Sequence, residues 1–357
     1  MNRFYKILSV ACVSAIFTSC AKEETPIIIV PPSDGSTLTL NGLIATESGA
    51  SAGNSVFVDF STDKQTSVDR NSWDLGFYSG ADFKVILNNM AGGSVLQINK
   101  TDLTQVTAAD FDANALLVGG ANGTFTLFDD PTKANVLQAT AITEVSATDA
   151  NNKVYILNRA ANSVSAPAEM YKIRITRNGT NGYRLQYAKV SESQIKTTTV
   201  TKDANFNFQF ASLVNDRLTT VEPGKGEWDI NWGFSIYYTA FGTTNVPYTF
   251  SDLVFINNLA GVSAAELIFT GTTANTSVSY ADFKESNIAG VTFKTERDVI
   301  GSKWRNTTGT VGVRTDRYYV VKDGAGNIYK LKFVSFVSND GGTRGKPVIE
   351  YKLVKSM

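Results

Sequence analysis

Trp73-Asp74-Leu75, preceded by the alternating Val56, Val58 and Phe60, returns as Trp228-Asp229-Ile230, preceded by Phe206, Phe208 and Phe210. The echo continues in order. Ile86-Leu87-Asn88-Asn89-Met90-Ala91-Gly92 reappears as Phe255-Ile256-Asn257-Asn258-Leu259-Ala260-Gly261, and Ala109-Asp110-Phe111 as Ala281-Asp282-Phe283. Tyr171-Lys172-Ile173-Arg174-Ile175 matches Tyr329-Lys330-Leu331-Lys332-Phe333, and Tyr187 matches Tyr351. Spacings of roughly 150 to 170 residues are domain-sized, so each copy is expected to have its own core and not to be one turn of a solenoid.

Within each copy the apolar period is two. Trp73, Leu75 and Phe77 share one face, as do Trp228, Ile230 and Trp232; Tyr171, Ile173 and Ile175 alternate with Lys172 and Arg174. Such alternation predicts strands with one buried and one wet face. Asn178-Gly179, Asn181-Gly182, Asp323-Gly324 and Asp340-Gly341-Gly342 fall between the runs as turn signals, which makes the strands antiparallel hairpins. Helix is expected only as short segments opened by Thr107-x-x-Asp110 and Ser279-x-x-Asp282.

The expected fold is therefore all-β, with two tandem antiparallel β domains at 38–190 and 204–357 joined by a linker at 191–203. Residues 1–19 read as a lipoprotein signal peptide. Arg3 and Lys6 precede an apolar run too short to remain as a membrane span, and Phe17-Thr18-Ser19-Cys20 closes it, so Cys20 is the expected lipidation site and new N-terminus. Residues 20–37 read as the lipidated cysteine and an extended tether. The sixteen residues from Ala21 to Ser36 could reach ~50 Å at ~3.3 Å per residue.

The chain has 357 residues, 33 basic and 33 acidic, and no histidine. Removing Arg3 and Lys6 with the leader leaves it slightly acidic, which disfavours nucleic acid as a partner. Cys12 leaves with the leader and Cys20 is acylated, so the mature chain has no free thiol. Without histidine or thiol, Ser-His and Cys-His nucleophiles and the usual zinc sites are unavailable, and no phosphate-cradling glycine loop is present. Asp110 and Asp129-Asp130 read as cap and turn residues. The expectation is a protein that is not an enzyme.

The second copy, with Trp228-Asp229-Ile230, Gly301 to Trp304 and the run from Tyr318 to Phe333, resembles the HmuY family, haem-binding lipoproteins of Bacteroidetes; the first copy carries the same likeness less regularly. The resemblance implies an all-β fold, a lipid anchor in the outer membrane, display at the cell surface, haem as cofactor or cargo, and an outer-membrane transporter as partner. Ala21-Lys22-Glu23-Glu24 is similar to the tag that sends such lipoproteins to the outer face of that membrane. Family members hold haem iron through paired histidines or paired methionines.

Here only Met90, Met170 and the terminal Met357 remain after processing. Met90 stands where the other copy has Leu259, and Met170 where it has Ile328, an exchange that packing tolerates because volume and apolarity are kept. Met90 and Met170 are nonetheless the candidate thioether ligands. Tyr237 and Tyr238, near Phe241, Tyr248 and Phe250, are the candidate tyrosinate ligands. Trp73 and Trp228 read as core anchors whose neighbouring carboxylates satisfy backbone amides. Specificity is expected in the segments that differ most, 93–152 and 262–316. The alternative is a module that kept this scaffold and recognises a glycan, a protein or another non-haem ligand.

Overall fold

The computed structural model describes residues 31–159 and 163–357, so the signal peptide, Cys20 and the Lys22-Glu23-Glu24 tag lie outside the described residues. Three strands come first: β1 (Gly35–Thr39), β2 (Asn54–Asp59) and β3 (Lys64–Asp69). Nine follow: β4 (Leu75–Tyr78), β5 (Val85–Leu87), β6 (Ser94–Ile98), β7 (Val154–Asn158), β8 (Tyr171–Arg177), β9 (Gly182–Lys189), β10 (Lys196–Thr201), β11 (Phe208–Ser212) and β12 (Arg217–Thr219). The rest are β13 (Ile230–Phe241), β14 (Thr244–Ile256), β15 (Ser263–Ile268), β16 (Arg305–Asn306), β17 (Gly312–Val313), β18 (Arg317–Lys322), β19 (Ile328–Ser335) and β20 (Val348–Lys355). Helix among the described residues is confined to short 3-10 turns. The all-β antiparallel reading therefore holds.

The strands form two sandwiches within one compact unit spanning 32–357. In the first, the five-stranded sheet β10-β9-β8-β7-β6 packs on the four-stranded sheet β12-β11-β4-β5. Leu75, Phe77 and Val85 face Leu157, Ile173 and Leu185 across that core. In the second, β1-β20-β19-β18-β15 packs on β14-β13-β2-β3, with Val56, Val58 and Trp232 against Tyr329, Leu331 and Ile349. Both four-stranded sheets turn their remaining faces toward a further apolar cluster that includes Phe57, Trp73, Phe208 and Phe210.

Apart from β16 and β17, the strands of the two sandwiches correspond, but the boundaries at 190 and 204 do not divide the fold. The first sandwich runs unbroken from β4 to β12, straight through 191–203, and β10 within that stretch pairs with β9 from Lys196↔Tyr187 to Thr201↔Gly182. The opening hairpin of the second copy, β11–β12, thus completes the sheet of the first. The same place in the second sandwich is filled by the hairpin β2–β3 of the first copy, with Ile230 opposite Val58. Phe60 anchors that closure between Tyr329 and Tyr351, with ring centroids 5.6 and 4.6 Å away. Full burial of such a ring stabilises by ~1.5–3 kcal/mol.

Register corrects a second expectation. Leu75 pairs with Ala211 and Ile230 with Val58, so Val58 corresponds to Ala211 and Phe57 to Phe210. The match of Val56, Val58 and Phe60 to Phe206, Phe208 and Phe210 is off by three residues, an odd shift that swaps faces. The turns confirm the pairing, because Asp63 and Asp216 occupy equivalent positions and both adopt positive φ, 55° and 52°.

The tether also ends earlier than residue 37. Ser33 donates its backbone N–H to Ser61 at 2.8 Å, Leu353 donates to Asp34 at 3.0 Å, and β1 pairs with β20 from Gly35 onward. Nor are the outer faces of β8 and β19 wholly wet. Lys172 and Lys330 are buried there because the divergent segments fold back over the five-stranded sheets. The Lys172 ammonium donates to the carbonyls of Val106 and Val190, and that of Lys330 to those of Tyr280, Ala281 and Phe283. Thr107 does open a 3-10 turn, Ala108–Asp110, with Asp110 accepting its amide at 2.8 Å; at Ser279 the hydroxyl and Asp282 bond to each other but close only a turn.

Candidate functional site

The Trp-Asp motif sits where each sandwich turns inward. Asp74 accepts the amide of Leu213 at 2.6 Å, while its own amide donates to Ala211 at 2.9 Å. Asp229 repeats this with Phe60 and Val58, both at 2.8 Å. The preceding carbonyls are fixed as well: the Asn88 carboxamide donates to Trp73 at 2.7 Å, and that of Asn257 to Trp228 at 3.0 Å. With backbones held, the indoles lie edge-on to phenyl rings, Trp73 against Phe210 at 4.8 Å and Trp228 against Phe57 at 5.1 Å.

These four rings line a cavity of about 130 Å³ between the four-stranded sheets. Met90 and Leu259, the equivalent positions, lie on its wall. Most of the wall is apolar, yet several buried polar atoms of the residues that line it have no hydrogen-bond partner among the described residues: Nε1 of Trp73 and Trp228, Nδ2 of Asn231, Oδ1 of Asn89, and Nε and Nη2 of Arg297. Burial without a partner is costly for such groups. The Arg297 guanidinium also stands over the Phe255 ring, 5.1 Å from its centroid.

Two carboxyl groups share the wall. Asp129 accepts amides from Leu87 at 2.7 Å and Ala141 at 3.1 Å, so it is a buried strut and not a turn residue; Asp130, accepting from Thr132, is the turn residue. Burial pushes Asp129 up to about 7 despite those amides. Glu222 accepts the Phe208 amide at 2.9 Å and is pushed up to about 8, again by burial.

The candidate iron ligands do not meet. Met90 lies in the central cluster, where its sulfur accepts the Ser55 hydroxyl at 2.9 Å. Met170, 1 % exposed, packs in a separate cluster on the outer face of the first sandwich. Tyr237 is buried and its phenol donates to Asp298, so desolvation and that carboxylate hold it strongly protonated. Tyr238 is half-buried against Tyr237, centroids 4.4 Å apart, on the long β13–β14 arm, where Tyr248 and Phe241 are exposed.

A wider groove of about 940 Å³ runs past Asp59, Glu227, Asp229 and Asp323, with Lys225 the one cation on its wall. Among the described residues no group of three or more His, Cys, Asp or Glu is placed to hold a metal. Arg297 and the orphaned indole nitrogens were not singled out from sequence. The tryptophans carried a signal, being in both copies, but that signal also fits a core anchor; Arg297 lies in the divergent 262–316 segment and has no counterpart to mark it.

Paired antiparallel sandwiches around a small cavity define an all-β protein. A family model described as HmuY protein matches residues 51–351, and the chain belongs to the HmuY family. Neither curated proteins nor solved structures give a match. Among the described residues, no helix is long and apolar enough to cross a membrane.

Proposed function

We propose that the protein is a lipid-anchored capture protein at the outer face of the outer membrane, which passes its ligand to a transporter and binds it without axial bonds to iron. Support for the anchor is the Phe17-Thr18-Ser19-Cys20 stretch followed by Lys22-Glu23-Glu24. The observation that carries the ligand reading is the separation of Met90 and Met170 into different apolar clusters, one sulfur already engaged by Ser55. With no histidine in the chain, no thioether pair is available to replace the family's ligands. Family membership, together with a sequence that lacks histidine, supports capture over catalysis.

The test is a haem titration of the chain from Ala21 onward, followed in the Soret band. No saturable shift is expected from bis-thioether ligation; a shift abolished by both Met90→Ala and Met170→Ala would overturn the reading.

Haem or porphyrin capture by stacking is the second reading. It is favoured by family membership and by the aromatic arm, where Tyr237 and Tyr248 lie edge-on to Phe250 at 5.6 and 5.4 Å. Of the rings on this arm, Tyr248 and Phe241 are exposed, and exposed aromatic rings suit a flat apolar ligand. A Soret shift lost in Tyr238→Ala and Tyr248→Ala but kept in the methionine variants would select it.

A further inference from the structure

The cavity between the four-stranded sheets carries its own chemical specification, and the ligand class it defines rests on the proposed capture function. Its volume, about 130 Å³, is near the ~150 Å³ at which an apolar protein cavity accepts benzene. Haem is several times larger. The wall is aromatic on both sides, and the unpartnered polar atoms of the residues that line it are mostly donors: two indole N–H groups, the Asn231 amide and two guanidinium nitrogens, against one acceptor, Asn89 Oδ1.

The Arg297 pair decides the charge of the ligand. Nε and Nη2 lie on one edge of the guanidinium, the edge that donates two parallel hydrogen bonds to a planar carboxylate. The carboxyl groups near Arg297 and on the wall are engaged elsewhere: Asp129 and Glu222 accept backbone amides and are raised by burial, Asp298 accepts the Tyr237 phenol, and Asp130 accepts the Thr132 amide, which leaves that edge without a hydrogen-bond partner. We propose that this cavity binds a small aromatic monocarboxylate of about benzoate size, its carboxylate on Arg297 and its ring between Trp73 and Trp228. The two indole N–H groups and Asn231 supply the remaining donors.

Calorimetric titration of the chain from Ala21 onward with benzoate at pH 6, with indole fluorescence as a second readout, tests this. Saturable binding is expected, at least tenfold weaker for benzamide, which has the same shape without the charge, and at least tenfold weaker for Arg297→Gln. Equal affinity for benzamide, an unaffected Arg297→Gln, or no saturation by benzoate would overturn it. If Arg297→Gln does not fold, Trp73→Phe and Trp228→Phe keep an aromatic ring at each position and remove the N–H donors; several-fold weaker binding in each supports the site, and unchanged affinity in either rejects it. The Soret titration reads the methionine question separately, so a failure of benzoate binding and a failure of the capture reading produce different results.

Discussion

Tyr351 donates its phenolic hydrogen to Asp63 across 2.6 Å, tying β20 near the end of the chain to a turn near its start. Tyr187 makes the equivalent bond to Asp216 in the first sandwich. Both tyrosines are buried, so each phenyl ring is fixed by packing and each hydroxyl reaches the turn of the hairpin that completes its sheet. The pair marks an asymmetry between the sandwiches: in the first the completing hairpin comes next in the chain, and in the second it is delivered from the far end.

Removing either phenol while keeping the ring separates the hydrogen bond from the packing. Tyr351→Phe is expected to cost ~1–2 kcal/mol, the range for a hydrogen bond to a charged partner that is itself solvent-accessible. Tyr187→Phe should cost a similar amount, because Asp216 also pairs with Lys196 at 3.0 Å and retains that partner in the variant. Urea unfolding of both variants measures the two costs; a loss above ~3 kcal/mol in Tyr351→Phe would mean the hydroxyl holds the N-terminal hairpin by more than this bond.

Strand exchange makes a sharper prediction about fragments. A fragment spanning 70–222 contains all of β4 to β12 and is expected to unfold in one cooperative transition. Fragments cut at the sequence repeat, 38–190 and 204–357, lack β10–β12 and β1–β3 respectively and leave sheet edges unpaired. Adding a peptide covering 33–69 should restore cooperative unfolding to 204–357. Circular dichroism and proton NMR dispersion read the outcome; a well-folded 204–357 on its own would contradict closure of the second sandwich by β2–β3.

Period-two alternation and turn residues made the strands and their antiparallel pairing legible in the sequence, because one buried face imposes that spacing locally. Which strand completes which sheet is not local information. Val56-Phe57-Val58 and Phe208-Gln209-Phe210 read alike in either register, and only the opposing Leu75 and Ile230 choose. Lys172 and Lys330 misled for a similar reason: an amine that reaches carbonyls of a turn packed above the sheet looks, in sequence, like one that reaches water. At the site, Met90 and Trp73 were visible as repeated positions, whereas the orphaned nitrogens of Arg297 exist only once the two sheets face each other.

The methionines differ in what surrounds them. Met170 is fully enclosed by Leu103, Val106, Ile156 and their neighbours, so Met170→Ala should cost ~2–5 kcal/mol through lost transfer energy and the cavity it leaves. Met90 already borders a cavity, and its truncation enlarges existing space; Met90→Ala is expected to cost less than Met170→Ala, and Met90→Leu, the residue of the other copy, less than ~1.5 kcal/mol. Denaturant midpoints at constant slope check the order. A larger loss from Met90→Ala than from Met170→Ala would show that the Ser55 hydroxyl depends on that sulfur.

Three buried carboxyl groups set the pH dependence of stability. Asp129, Glu222 and Asp229 are raised by burial to about 7, 8 and 8 from ordinary values of 3.8, 4.5 and 3.8. Asp59 and Asp323 raise Asp229 further, whereas its counterpart Asp74 is paired with Arg159. Below about pH 4 both folded and unfolded chains hold these protons and the groups contribute nothing to the slope. Between about pH 4 and 8 the unfolded chain has released them and the folded chain has not, so the folded state binds more protons and stability falls as pH rises. Carboxylates of the opposite kind, such as Glu47, lowered to about 2 by backbone amides, act only below that window. The melting temperature is therefore expected to be higher at pH 5 than at pH 8. Asp229→Asn should flatten the decline because the amide cannot ionise. Thermal unfolding from pH 5 to 8 measures the slopes; a parent whose stability rises across that interval, or an Asp229→Asn variant with an undiminished slope, would remove Asp229 as the cause.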